Sequence, residues 1–305
     1  MSPHPVLTLA DLESWSFDGT ALAVLGHPIS HSLSPAMHNG ALKVEAKTKT
    51  TYRNWTYFRF EVAPADLPKA LAALHRARFR GVNLTVPHKI LAVELVAKLS
   101  PAARAIGAVN TLKWTKVGYH GFNTDGYGLA AAIKESLGLR LKGKDVVLLG
   151  AGGAGRGAAV EALREGCRSL LIVNRSHENL AALLTVLMPL AKKTPVMGAT
   201  PDALPPMPEG TLVINATSAG LHPTDASPLD LTTLPRPAAV FDMIYNPPET
   251  KLLAQAKQLR IPRANGLGML VHQGAKALEI WTGIPASRTA PAMTRAVRRA
   301  LSASQ

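Results

Sequence analysis

Residues 145–175, DVVLLGAGGAGRGAAVEALREGCRSLLIVNR, pass from an apolar run through a glycine cluster into an amphipathic stretch and out into a second apolar run. That order specifies a βαβ unit. A fully apolar run of four or five residues suits a buried parallel strand, and helical spacing after it suits a covering helix. Gly150, Gly152 and Gly155 satisfy G-x-G-x-x-G, a pattern that is weak alone and strong between a strand and a helix. With Ala151, Gly153 and Ala154 they form a turn able to approach a pyrophosphate, held at the N-terminus of a helix over 156–165.

The end of the second strand selects the nucleotide. Units of this kind that take NAD carry an acidic residue about 20 positions past the glycines, which binds the ribose hydroxyls. Here the strand ends in Asn174, Arg175 and Ser176. A guanidinium and a hydroxyl bind a 2′-phosphate that a carboxylate would repel, so NADP is expected over NAD.

At 305 residues the chain is long enough for about two domains of ~150 residues. After the βαβ unit, residues 212–215 and 239–244 read as further buried strands between proline-rich loops, continuing a doubly wound parallel sheet. Upstream, residues 20–26, 51–58 and 80–87 read as strands, and 66–77 and 90–99 as helices, giving a separate α/β unit. Residues 269–281 and 291–301 have helical spacing with no strand after them and are expected to pack back on that first unit. The expected fold class is therefore α/β: a discontinuous α/β substrate domain (residues 1–124 and 267–305) and an inserted Rossmann domain (125–266). Residues 1–20 read as an extension with a possible helix cap at Thr8.

Composition removes several classes. One cysteine, Cys167, makes no internal disulfide and no multi-cysteine metal site, and it reads as a buried apolar residue at a strand start. No apolar run approaches the ~20 residues that span a bilayer, so a cytoplasmic protein without a membrane is expected. The net charge of +14 is spread along the chain, and its densest cluster, Arg295, Arg298 and Arg299, has the spacing of a solvated helix face. No aromatic residues are interleaved with it to stack bases, anionic small molecules are an equally good reason for the charge, and no nucleic-acid partner is expected. His31, His38 and His88 sit singly, so no metal is implied, and Ser218 lies outside any G-x-S-x-G elbow.

Three segments carry candidate chemistry. In RGVNLTVPHK, strand alternation sets Asn83 and Thr85 on one face, Pro87 stops pairing, and Lys89 falls in the first turn of a helix. There the positive end of the helix dipole disfavours a second positive charge, which suits a proton donor to a ketone. GAVNTL and GFNTDGYG set Asn110, Thr111, Asn123, Thr124 and Asp125 in polar turns ahead of the nucleotide domain, where an interdomain cleft would collect them and Asp125 could orient Lys89. In HPISHSLSPAMHNGAL, Ser34 and Pro35 read as a helix N-cap and first residue. The amides there, with the Ser32 and Ser34 hydroxyls, suit a carboxylate.

Taken in order, HSLSP, GVNLTVPHK, AVNT, NTDG, GAGGAG, NRS, NATSAG, YNPPETKLL and GLGMLVHQGAKALEIWTG resemble the shikimate dehydrogenase family from about residue 22 to the C-terminus. The resemblance implies reversible NADP-dependent reduction of 3-dehydroshikimate to shikimate, the step before shikimate phosphorylation in aromatic amino-acid biosynthesis. It implies Lys89 and Asp125 as the catalytic pair and Ser32 and Ser34 as the carboxylate-binding serines. It also implies Asn83, Thr85, Asn110 and Gln273 around the ring hydroxyls, Tyr245 near the carboxylate, and Thr217, Ser218 and Gly266 beside the coenzyme. A monomer or homodimer is expected.

The chain departs from the family pattern in places. Ser176 replaces the usual threonine, Asn179 stands where a second basic residue is expected, Leu221 replaces a common methionine, and Leu278 replaces a common aromatic. The first departures soften the expected coenzyme preference. Rival readings are a quinate/shikimate dehydrogenase using NAD, and a catalytically silent NADP-binding or nucleic-acid-binding Rossmann protein.

Overall fold

The computed structural model describes residues 5–303. They form two compact units: residues up to Thr124 together with those from Val271 on, and Asp125–Leu270. The chain returns to the first unit inside the helix Leu267–Thr282.

The first unit is built on a seven-stranded mixed sheet of β1 (Val6–Leu7), β2 (Thr20–Gly26), β3 (Trp55–Glu61), β4 (Gly81–Leu84), β5 (Lys98–Leu99), β6 (Thr111–Thr115) and β7 (Gly118–Phe122), in the order β1-β3-β2-β4-β6-β7-β5. β1, β3, β2 and β4 run parallel, while β4 to β6 and β6 to β7 are antiparallel. Leu25, Phe60, Leu67, Leu74, Phe79, Val82 and Leu112 are buried in one core against this sheet. The helices Ser34–Glu45 and Ala286–Ser302 pack on each other, with Arg288 paired to the buried Glu45 at 2.9 Å. The tail thus belongs to the first unit. Trp281 fills the space above Gly81, where a Cβ would collide with its indole, and its Nε1 donates to the Leu112 carbonyl at 2.9 Å.

Local readings needed correction where long-range pairing took over. Residues 90–99 do not form one helix: His88–Leu91 is one helical turn, Ala92–Leu95 is 3-10, and β5 pairs with β7. The Val109 N–H captures the Lys89 carbonyl at 2.8 Å and draws it out of a continuing helix. The strand expected over 51–58 begins instead at Trp55, because Thr50–Tyr52 turns back to set Tyr52 edge-on to Trp55. The final helix starts at Ala286 rather than 291, where the Glu279 carboxylate accepts the Ala286 N–H at 2.9 Å. The N-terminal extension is part of the sheet through β1, and Thr8 donates through its N–H and hydroxyl to Asp11 at 2.7 and 2.8 Å.

The second unit is a six-stranded parallel sheet of β8 (Asp145–Leu149), β9 (Ser169–Val173), β10 (Val196–Ala199), β11 (Leu212–Asn215), β12 (Ala239–Asp242) and β13 (Arg263–Ala264), in the order β10-β9-β8-β11-β12-β13. This is the doubly wound order, with a reversal between β8 and β11 where ligands bind outside the carboxyl ends of the strands. Buried Val147, Leu149, Leu171, Val173, Val213 and Val240 form part of its core. Cys167 is buried just before β9, which pushes its thiol up to about 11.

Candidate functional site

The second unit holds the glycine turn as a built cradle. Gly150 sits at φ +104°, and a Cβ at Gly155 would run into the Gly150 carbonyl, so both positions require glycine for the turn to close. The helix begins at Gly153, with Gly152 at its cap and no side-chain hydrogen bond there, earlier than the 156–165 expected. Gly152, Gly153 and Ala154 are exposed, and a Cβ on either glycine meets nothing within 4 Å. A long helix opening this way presents amides to an anion.

Asn174 fixes the neighbouring loop: its Oδ1 accepts the Ala151 N–H at 3.0 Å and its Nδ2 donates to the Ser176 carbonyl at 2.9 Å. Gly150–Gly152, Asn174, Arg175, Thr217 and Ser218 line a cavity of about 610 Å³ at the strand ends. Leu221, His222, Asp225 and Ser227 also line it. Ser176 caps the helix His177–Ala191, its hydroxyl oxygen accepting the Asn179 N–H at 3.2 Å. That leaves the Ser176 hydroxyl proton for another acceptor. The cavity and the uncapped helix fit a dinucleotide, with the exposed Arg175 at its edge.

Asp242 and Asp225 hold the Thr217–Ser218 loop. Asp242 is fully buried and accepts from Asn215 Nδ2 at 3.0 Å, the Thr250 hydroxyl at 2.7 Å and the Ile244 N–H at 3.0 Å. Burial raises its carboxyl above the ordinary range, against those hydrogen bonds. Asn215 Oδ1 then accepts both the N–H and the hydroxyl of Thr217, at 3.0 and 2.7 Å. Asp225 accepts the Gly220 and His222 N–H groups, each at 3.0 Å. Neither carboxylate stood out in the sequence, because their partners lie in loops with no periodicity. Gly266 has a packing reason for its identity, since a Cβ there would strike the Met243 main chain. The half-buried Tyr245 has its phenol raised by burial.

The first unit brings several expected residues into one hydrogen-bonded group. Asn83, 6% exposed, donates from Nδ2 to the Asn110 carbonyl at 2.9 Å and to the Thr111 hydroxyl at 3.0 Å, while its Oδ1 accepts the Tyr57 hydroxyl at 2.7 Å. Both amide protons are therefore committed inside the protein, and none is left for a substrate ring. Asn110 Oδ1 accepts the Thr124 N–H at 2.8 Å, and its Nδ2 donates to the Thr124 hydroxyl at 3.0 Å. Thr111 and Asp125 are not turn residues: Thr111 opens β6 and Asp125 opens the helix Asp125–Leu137.

Lys89 is half-buried in its single turn, too short for a helix dipole of any size. Thr85 lies past the end of β4, its N–H donating to the Leu25 carbonyl at 3.0 Å and its methyl against Gly26. Ser34 is not the N-cap: Leu33 is, Ser34 and Pro35 are the first helical residues, and Ser32 Oγ accepts the Ser34 N–H at 3.3 Å. Gln273 lies half-buried on the helix Leu267–Thr282 beside Gly274, where a Cβ would collide with Met37.

Among the described residues no group of three or more His, Cys, Asp or Glu is placed to hold a metal ion, and no helix is long and apolar enough to cross a membrane.

A Rossmann unit whose second strand ends in Asn174, Arg175 and Ser176, in one chain with a second α/β unit rich in fixed polar groups, is the architecture of a nicotinamide-dependent oxidoreductase. Residues 24–112 match the Shikimate dehydrogenase substrate binding domain, and residues 266–298 match the Shikimate 5'-dehydrogenase C-terminal domain. The chain belongs to the shikimate dehydrogenase family. It is 40% identical over 272 residues to the shikimate dehydrogenase (NADP(+)) of Symbiobacterium thermophilum, covering 87% of this chain and 90% of that protein.

Among solved structures, shikimate 5-dehydrogenase from Thermus thermophilus in complex with NADP(H) and shikimate is 37% identical with a TM-score of 0.76, covering 91% of this chain and 99% of that one. The ligand-free 5-ketofructose reductase of a Gluconobacter species is 31% identical with a TM-score of 0.78, covering 92% and 99%. The same fold thus also carries a different substrate name.

Proposed function

We propose that this protein catalyses the reversible NADP-dependent interconversion of 3-dehydroshikimate and shikimate. The observation that carries the reading is 40% identity to an NADP-dependent shikimate dehydrogenase across 87% of the chain. Bound NADPH supplies the hydride that reduces the ketone carbon. The residues of this chain do the rest. Lys89 Nζ gives a proton to the carbonyl oxygen and, in the reverse direction, takes it from the hydroxyl, and Asp125 is the second member of the catalytic pair. Ser32 keeps its hydroxyl proton for the substrate carboxylate, because its oxygen already accepts the Ser34 N–H. Ser34 and Tyr245 complete that carboxylate site. Thr85, Asn110 and Gln273 face the ring hydroxyls, and Asn83 acts from behind by fixing Asn110 and Thr111.

At the coenzyme, the Gly150–Gly155 turn takes the pyrophosphate, and Arg175 with the Ser176 hydroxyl takes the 2′-phosphate. Thr217, Ser218 and Gly266 frame the nicotinamide end. The same reading makes the protein cytoplasmic, without a nucleic-acid partner, and a monomer or homodimer. Mixing purified protein, shikimate and NADP⁺ tests it through absorbance at 340 nm. A rise supports the assignment, and a flat trace with shikimate beside a rise with another polyol would overturn it.

A further inference from the structure

Three basic side chains meet on one face of the first unit's sheet, outside the residues given a role above. The register pairs Lys98 of β5 with His120 of β7, and His120 with Lys113 of β6. Directly opposed residues share a face, and the sequence neighbours Leu99, Tyr119 and Leu112 belong to the core on the other one. The row therefore reads lysine, imidazole, lysine across three adjacent strands. On the inner side it ends at Gly81, opposite Lys113, where the Trp281 indole fills the space. On the outer side it ends at the sheet edge.

Like charges directly opposed in a sheet destabilise it, and the ion pairs among the described residues include none of these three. His120 Nε2 is buried with no hydrogen-bond partner among the described residues. Burial, and after it the charges of Lys98 and Lys113, hold the imidazole below its ordinary range. No helix packs extensively over this side of β5, β6 and β7; the short helix Pro101–Ile106 lies on the core side, with Ala103. Lys98 is exposed, while Lys113 and His120 are half-buried. A lysine on an edge strand such as β5 guards that edge, but Lys113 lies on an interior strand, where the same reason does not apply.

The charge is confined to one row. The rows on either side hold Thr111 with Phe122 and Thr115 with Gly118, all neutral. A long polyanion needs charge along its length, whereas a single row suits one small anion. Lys98 and Lys113 stand two inter-strand spacings apart, roughly 10 Å, and a stem of four methylenes covers most of one spacing, so both ammoniums can meet above His120. Phe122 packs on the ring between them, with centroids 4.2 Å apart. Two ammoniums match a dianion, and the imidazole adds an N–H donor. We infer that Lys98, His120 and Lys113 form a binding site for a small phosphoryl dianion, the shared chemistry of free phosphate and of a phosphate monoester. The inference does not depend on the shikimate reading.

The test uses the enzyme with saturating NADPH and shikimate, so that added anions find the coenzyme and carboxylate sites filled. The His120 ring resonances, identified by their absence in His120→Gln, are followed by NMR during titration with inorganic phosphate, glycerol 3-phosphate and acetate. Phosphate should shift them saturably with a Kd below about 1 mM, and acetate should bind at least about tenfold more weakly. Saturation by one of the two phosphate compounds alone names that source as the ligand. In the double variant Lys98→Gln, Lys113→Gln the phosphate Kd should rise at least about tenfold. No saturable shift, equal binding of acetate, or an unchanged Kd in the double variant overturns the inference. Thermal melts at low ionic strength give an independent reading. Without phosphate the double variant should melt at or above the parent's midpoint, because a like-charge contact is gone, and phosphate should raise the parent's midpoint more than the variant's. A lower midpoint without phosphate would mean that the lysines are balanced within the protein, and it overturns the inference as well.

Discussion

The Asn110 side-chain oxygen accepts the Thr124 main-chain N–H at 2.8 Å, so the residue just ahead of Asp125 is pinned to the strand segment that also receives Asn83. The Val109 N–H next door holds the Lys89 carbonyl at 2.8 Å. One short stretch of chain, Val109–Thr111, therefore sets the main-chain approach to Lys89 and holds Thr124 in place.

Asn110 is 2% exposed, and replacing it with alanine strands the Thr124 N–H away from water. Asn110→Ala should cost about 1–3 kcal/mol of stability, the desolvation penalty of an unmatched buried donor. Chemical denaturation checks this, and a loss near zero would mean that water or a rearranged Thr124 takes the amide's place.

For Lys89→Ala the expected outcome is a fall in kcat of ~10² to 10⁴ with little change in KM, because proton transfer matters most in the transition state. Steady-state kinetics in both directions are the check. A loss appearing only in KM would reassign Lys89 to substrate binding.

Removal of the Arg175 guanidinium should discriminate between coenzymes. Arg175→Ala is expected to weaken NADPH by about 1.5–3 kcal/mol and NADH far less, since only the former carries the phosphate. Equal weakening of the two, measured by fluorescence titration, would place the phosphate elsewhere.

Two glycines in the same turn should behave differently. A Cβ at Gly155 meets the Gly150 carbonyl, whereas one at Gly153 meets nothing within 4 Å. Gly155→Ala should lower stability by about 1–3 kcal/mol, the range for overpacking a tight contact, and Gly153→Ala should leave the thermal midpoint near its starting value. Parallel thermal melts of the two variants decide this.

His38 gives stability a pH dependence. Burial pushes its imidazole from 6.5 down to about 3, and among the described residues neither ring nitrogen has a hydrogen-bond partner. The unfolded chain binds a proton here below about 6.5 that the folded chain refuses until about 3. Its contribution is therefore intact above neutrality and is lost as the pH falls between those values. Between pH 7.5 and 5 the parent protein should lose about 2 kcal/mol more than His38→Phe does. Identical pH profiles in urea denaturation would rule this out.

The nucleotide turn was readable because its chemistry is local: glycine spacing, a strand before and a helix after lie within some 30 contiguous residues. What stayed hidden depends on pairing between distant segments. Residues 90–99 have helical spacing, yet β5 is claimed by β7. Ser34 followed by Pro35 reads as a cap, yet a second hydroxyl at Ser32 takes that amide. That the amide donors of Asn83 are already spent was not readable, since its partners Tyr57 and Thr111 come from strands on either side of it in the chain.

The strand Val6–Leu7 lies along Arg59 and Phe60, outside the span that the family's substrate-binding domain covers. A shortened product beginning at β2 would leave that rim of β3 bare, an open template for a neighbouring molecule's backbone. Residues with no part in the chemistry would then decide whether the shortened enzyme stays in solution or precipitates.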